Sequence, residues 1–440
     1  MHDYRVLVAW IETSGQSGRM PERQAGVATD HPTVMTDRRP SPRLSARVRA
    51  TAILIAVGIL LVLVIAAPAR AAFDFLTAWG GPGIGDGQFE SPAALAADAQ
   101  GDVYVSDSFN NRIQVFDPCH DFAASWGGLG SAPGQLNTPL GIAIGADGNL
   151  YVADAGNARI EVFDPAGGFV RAWGTSGSGA GQFGLPFGVA VNAQGDVYVT
   201  DIDSHRVQKF DAAGNFIAQW GRFGSGNGQF NMPFGIAVGP SGDVYVADTG
   251  NNRVQEFDSS GHFVRKWGSF GSIDGRFNSP RGIAAGPSGV LYVADTNNSR
   301  IEEFSATGGF LAKWGSLGSG DGQFHFASGV GADPSGNVYV AESYPNDRIQ
   351  MFGEPPPTIA DLLEAVEGLR LPHGVANSLE AKLRNADEGE DPAGSIAGRL
   401  TAFVAELRAQ SGKHVPADAA EQLIAEAERV AESQRCGASG

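Results

Sequence analysis

Cysteine is nearly missing from this chain: Cys119 and Cys436 are the only two in 440 residues. They stand far apart, with no CxxC and no Cys/His cluster, so a thiolate zinc site is excluded. In an oxidising compartment the two could pair, but sequence cannot show that the sulfurs meet; the expectation is two surface thiols. Basic residues are also few, 31 Lys and Arg against 48 Asp and Glu, for a net charge of −17. A nucleic-acid partner is thereby disfavoured, because phosphate binding needs clustered positive charge. No helical periodicity occurs between residues 73 and 352, and long apolar runs are confined to residues 51–67. At this length two or more structural units are expected.

The scarce positive charge is concentrated at the start. Residues 38–49 (RRPSPRLSARVR) hold five arginines and no acid, and they run directly into TAILIAVGILLVLVIAA, residues 51–67. Ala69 and Ala71 then supply a small-x-small site. This order of basic, apolar and small residues describes an export signal cleaved after Ala71. The alternative is a retained transmembrane anchor, since 17 apolar residues lie at the lower limit for a span. Its linker, Pro68 to Ala72, would reach about 16 Å and hold the following domain against the membrane. Residues 1–50 read as a basic, unstructured segment, and a start at Met35 would give a signal of ordinary length. The expected location is extracytoplasmic, secreted or anchored by residues 51–67, with no other membrane contact.

What the chain has in abundance is repetition. Trp79, Trp126, Trp173, Trp220, Trp267 and Trp314 are spaced 47 residues apart, as are Phe75, Phe122, Phe169, Phe216, Phe263 and Phe310. Tyr-Val pairs keep step from Tyr104 to Tyr339, and three residues beyond each Tyr stands an acid. These acids are Asp107, Asp154, Asp201, Asp248, Asp295 and, exceptionally, Glu342. An arginine follows each: Arg112, Arg159, Arg206, Arg253, Arg300 and, after one extra residue, Arg348. Each unit reads as four short strands, for instance GIAIG (141–145), NLYVAD (149–154), RIEVF (159–163) and FVRAW (169–173), separated by Gly- and Asp-rich turns. A repeat of this length with four antiparallel strands predicts a propeller blade.

The phase of the repeat predicts closure as well. The chain begins the array on a fourth strand, Phe73 to Trp79, and leaves it after a third, Arg348 to Phe352. The two orphans complete one blade, and a closed ring has no free sheet edge. The expected fold is mainly β: a closed six-bladed propeller over 73–352, then a Pro-rich linker (353–357) and an α-helical module over 358–440. In that module Thr358 is the expected N-cap with Asp361 three residues on. Leu362, Leu363 and Val366, then Leu379 and Leu383, Leu400 to Leu407, and Leu423 to Val430 mark four amphipathic helices.

The D-x-x-N-x-R-I pattern (Asp107, Asn110, Arg112; Asp248, Asn251, Arg253), together with P-x-G-I-A and W-G…G-Q-F, resembles NHL repeats. The stretch LPHGVANSLEAKLRNA…LTAFVAELRAQSGKHV…AEQLIAEA resembles the FIMAH-type helical module of exported bacterial proteins. The first resemblance implies fold rather than activity, because propellers host lyases, hydrolases and binding platforms alike. The second implies life outside the cytoplasm. The ubiquitin-ligase role of NHL propellers that follow zinc modules is excluded by the missing Cys and His ligands.

A residue repeated six times is architecture, so the Asp, Arg and Trp series are expected to be structural, with Trp and Phe packing between blades. Function is expected where the copies differ. At the x of P-x-G stand Ala93, Leu140, Phe187, Phe234, Arg281 and Ser328, and two Phe with an Arg would form a binding patch or a plug in the channel. Tyr344, in the lengthened loop of unit six, belongs to the same face. In unit three Asp203 and His205 are the acid/base candidates, against the simpler reading of a solvated loop. No metal site is expected from the four propeller histidines, His120, His205, His262 and His325; a single divalent cation such as calcium, held by acids alone, stays open. The favoured function is a non-enzymatic, monomeric platform for a protein, peptide or glycan ligand, and the alternative is a metal-dependent lyase or hydrolase.

Overall fold

The computed structural model describes residues 73–387 and 394–436. The expectations for residues 1–50, Met35, the 51–67 segment and cleavage at Ala71 lie outside these residues. Among the described residues no helix is long and apolar enough to cross a membrane.

Strand β1 (Asp74–Gly80) opens the array, and the first complete blade is β2 (Pro92–Ala97), β3 (Val103–Asp107), β4 (Arg112–Phe116) and β5 (Phe122–Gly127). Four further blades repeat this order, and the last comprises β22 (Ala327–Ala332), β23 (Val338–Glu342) and β24 (Arg348–Gly353). Its fourth strand is β1, which pairs antiparallel with β24 from Asp74↔Gly353 to Gly80↔Arg348. The ring therefore closes as the repeat phase predicts, with six four-stranded sheets. The second strands are buried along their whole length, as VYVSD and LYVAD are, because both sheet faces meet a neighbouring blade. The core accordingly lies in layers between blades: Ala153, Ile160 and Val162 of one pack on Val197, Val199 and Phe210 of the next.

Two glycine positions allow this packing. Gly141 faces the Phe187 carbonyl so closely that a Cβ would lie 2.2 Å from it, and only a bare backbone lets the innermost strands approach around the axis. Gly167, at φ +83°, lies under the ring of Trp126, and Gly214, Gly261 and Gly308 lie likewise under Trp173, Trp220 and Trp267. Each tryptophan so covers the turn of the following blade. His120 takes the glycine's place beneath Trp79, with ring centroids 4.3 Å apart, and Phe73 stacks on Trp314 at 5.1 Å. In the phenylalanine series Phe75, Phe263 and Phe310 pack, partly buried, against the layers between blades. Phe122, Phe216, Phe263 and Phe310 also lie edge-on to the third-strand Phe of their own blade.

Beyond Gly353 the chain forms helices α1 (Ile359–Gly368), α2 (His373–Asp387), α3 (Gly394–Gln410) and α4 (Ala417–Cys436). Thr358 and Asp361 make a reciprocal capping box on α1. Leu362, Leu379, Leu383, Leu400, Phe403, Leu407, Leu423 and Ala427 form the module's own core. The expectation of two free thiols is corrected here: Cys119 and Cys436 form a disulfide, with Cα atoms 5.0 Å apart across 317 residues of sequence. The physical reason is ring closure. Gly353 ends its blade at the level where blade one makes the turn holding Cys119, and the closing blade and blade one are neighbours. The Arg429 guanidinium also donates to the carbonyls of Glu354 and Pro355 in the linker.

The candidate loop face

The six acids and six arginines build one repeated joint. Asp107 has no solvent exposure and accepts from the Glu90 backbone N–H (2.7 Å), Asn110 (2.9 Å) and Arg112 Nε (2.7 Å). Arg112 also donates to the carbonyls of Gly85 and Gln88, tying the preceding inter-blade loop to its blade. Asp154, Asp248 and Asp295 repeat the joint with Arg159, Arg253 and Arg300. Asp201 pairs with Arg206 at 3.2 Å but lacks the asparagine, replaced by Ser204. Glu342 is explained by the extra residue in its loop. Its longer side chain still reaches Arg348 (2.6 Å), Asn346 (2.6 Å) and the His325 N–H (2.8 Å). Burial pushes the carboxyls of Asp107, Asp154, Asp248 and Asp295 upward, and their donors pull them back.

These joints lie where the second-to-third-strand loops meet the inter-blade loops, so both loop sets form one face. The chain reaches Asp74 and leaves Gly353 at the other end of the blades, where Cys119 also sits.

His205 proves to be a stand-in for asparagine. Asn111 and Asn252 sit in left-handed conformation and accept the backbone N–H of Thr138 and Ser279 through Oδ1. His205, at φ +52°, accepts the Met232 N–H through Nδ1 at 3.1 Å. That bond commits the ring nitrogen to holding a loop. Asp203 is exposed, and partial desolvation followed by the Asp201 charge pushes its carboxyl upward. The structure brings no third catalytic partner to these two. Among the described residues no group of three or more His, Cys, Asp or Glu is placed to hold a metal.

Of the two readings of the P-x-G residues, burial supports the plug. Leu140, Phe234 and Arg281 are buried, and Phe187 is half-buried. Leu140 and Phe234 cluster with Ala155, Leu185 and Ile202, with Phe187 packed against them. The rings of Phe187 and Phe234 are 4.5 Å apart, and the Arg281 guanidinium lies over Phe234 (5.2 Å) and Phe326 (4.4 Å). These residues bury one another, which favours the plug over an open patch. Tyr344 is the exception, exposed in a loop whose Asn346 bonds the Gly318 carbonyl.

Besides fourth-strand residues such as Val170, Ile217, Val264 and Leu311, the exposed apolar side chains lie on the inter-blade loops. Each loop folds back so that a residue three past the tryptophan pairs with a fully buried one seven further on, as Phe223 with Phe230 and Phe270 with Phe277. The buried partner anchors the loop, and the outer one projects. Ile84, Leu129, Phe223, Phe270, Ile273 and Leu317 are 63–79% exposed. They occupy five consecutive loops round the ring, and Ser176 alone interrupts the series. Arg222 and Arg276, both exposed, stand in the two loops that carry Phe223 and Phe270. Sequence reasoning looked to this loop face but singled out none of these side chains. The available signal was a large apolar residue in a Gly-rich loop that already had its buried anchor.

The NHL repeat pattern matches residues 89–116, 136–163, 183–210, 230–257 and 277–304, so the chain carries five such repeats. The closing unit falls outside the match, in keeping with Glu342 and its lengthened loop. No curated protein matches the chain. Among solved structures, a structural-genomics protein of unknown function from Bacteroides thetaiotaomicron is similar, at 16% identity and a TM-score of 0.51, over 64% of this chain and 75% of that one. A gluconolactonase from Xanthomonas campestris matches at 16% identity and 0.47, over 62% of this chain and 88% of its own. Virginiamycin B lyase from Staphylococcus aureus matches at 14% identity and 0.44, over 60% and 95%. At these identities the likeness is one of fold alone.

Proposed function

We propose that this NHL-repeat propeller is an exported binding platform that captures a protein or peptide through the apolar rim of its loop face, without catalysis. The observation that carries the reading is the arc of exposed side chains from Phe223 through Phe270, Ile273, Leu317 and Ile84 to Leu129. Large apolar side chains exposed on five successive loops of one face support a surface that a partner covers. Aromatic side chains beside arginine, as Phe223 with Arg222, are the commonest anchors of protein interfaces. The face is unencumbered, because the chain enters, leaves and carries its disulfide at the opposite end of the blades. The disulfide supports an oxidising, extracytoplasmic location. We read the helices as the FIMAH-like accessory module and the closed ring as monomeric, since no sheet edge is left to pair.

Peptide display on the full chain, followed by calorimetry, tests the reading. Selected peptides should bind the wild type at micromolar or better. The Phe223→Ala, Phe270→Ala variant should lose affinity by about 2 kcal/mol or more. Peptides that bind both proteins equally, or a library that yields no binder, would overturn it.

A further inference from the structure

The loop that carries Phe270, Ile273 and Arg276 is held differently from the others. In four blades a buried glutamine at the centre of the third strand fastens the inter-blade loop. Gln255 Oε1 accepts the Gly228 N–H (3.0 Å), while its Nε2 donates to the Gln229 carbonyl (2.7 Å) and to Asp248 Oδ2 (3.0 Å). Gln114, Gln208 and Gln350 fasten their loops in the same way. In the fifth blade the residue is Glu302, also without solvent exposure. Its Oε1 accepts the Gly275 N–H (3.2 Å) and faces Arg300 at 2.9 Å. Its Oε2 is buried with no hydrogen-bond partner. By the repeat, that oxygen stands where the glutamine's NH2 stands, toward two acceptors, the Arg276 carbonyl and Asp295. An ionised oxygen has nothing to offer there, whereas a protonated one restores the missing donor. Glu161, the other glutamate at this position, has both oxygens engaged, by Gly134 and by Arg159.

We propose that Glu302 is a proton-operated latch on loop 268–279, fastening the rim when protonated and loosening it when ionised. The consequence for partner capture rests on the binding reading above; the latch itself does not. Charged groups face Glu302 from each side: Asp295 on the second strand, Arg300 on its own strand, Lys313 across from it on the fourth, and Asp274 in the loop. Lys313 is engaged by Asp274, and Glu256 of the neighbouring blade by Arg265. Arg300 is shared with Asp295, which accepts from its Nε at 2.8 Å. Burial pushes the Glu302 carboxyl up to about 7, against 4.5 in an open loop. A raised value means stability that is complete below the open-state value and lost as pH rises toward the folded one, so the loop is tightest in acid, loosens progressively up to about 7 and changes little beyond it.

Hydrogen exchange of the full, disulfide-intact chain tests this at pH 5.5 and 8.5, comparing wild type with Glu302→Gln. The wild-type opening constant for loop 268–279, divided by that of the variant, should rise roughly thirtyfold over this range. Loop 80–91, fastened by Gln114, serves as the reference within each molecule and should stay flat. If Glu302→Gln folds poorly, the ratio between these two loops in the wild type carries the same expected rise. A change below threefold would overturn the latch while leaving peptide binding at the rim untouched. Loss of peptide binding in the Phe223→Ala, Phe270→Ala variant with no exchange difference would likewise retain the rim and remove the latch.

Discussion

Replacing Asp248 by Ala tests whether the repeated acids are architecture. Asp248 is fully buried and accepts from the Asn231 N–H (2.8 Å), Asn251, Arg253 Nε (2.6 Å) and Gln255 (3.0 Å). In its absence Arg253, whose side chain is 7% exposed, keeps the carbonyls of Ser225, Gly226 and Gln229 but loses its counter-charge. Removing one partner of a buried pair costs about 3–5 kcal/mol. A loss near 4 kcal/mol is therefore expected, with or without added divalent cation. Urea unfolding followed by tryptophan fluorescence measures it cleanly, because the helical module contains no tryptophan. The double variant with Arg253→Ala should lose less than the sum of the single losses, since both remove the same joint. A loss under about 1 kcal/mol, or strict additivity, would refute the joint as described.

His205→Asn should leave stability within about 0.5 kcal/mol, because asparagine makes the same bond in neighbouring units; Asp203→Ala, at an exposed site, should behave alike in the same urea titration. Mass spectrometry of an unreduced tryptic digest should find the peptides of Cys119 and Cys436 joined. Cys436→Ser should lower Tm, with a chain-entropy ceiling of about 6 kcal/mol for a loop this long, and should open the 354–357 linker to protease. Deleting residues 73–80 should leave β24 as an open edge and give oligomers on size exclusion, where the full chain should run as a monomer.

The fold was legible because the constraint on each residue recurs six times. One buried Asp proves little, but Asp107 to Asp295 at constant spacing, each ahead of an Arg, require one local joint repeated. Closure was legible for a related reason, since an unmatched fourth strand at Phe73 and an unmatched third at Phe352 have one economical solution. The disulfide was not, because a pair 317 residues apart meets only once the ring has closed. Function was harder to read, because departure from a repeat is ambiguous between freedom and purpose. Phe234 and Arg281 depart from their series to fill the axis, and His205 departs while keeping the bond its asparagine counterparts make. The rim residues were overlooked for the opposite reason. Phe223 and Phe270 hold a position that the repeat itself supplies, and only their exposure separates them from the buried Phe230 and Phe277.

The central claim, that the loop face is the working surface, is tested most directly by a hydrogen-exchange footprint of the full chain with a selected peptide bound. Protection should concentrate in loops 221–232, 268–279 and 315–326, with the turns around Cys119 and Ser241 unchanged. Protection confined to the opposite face, around Asn192 and Ser241 where a recess of about 300 Å³ opens, would contradict the account.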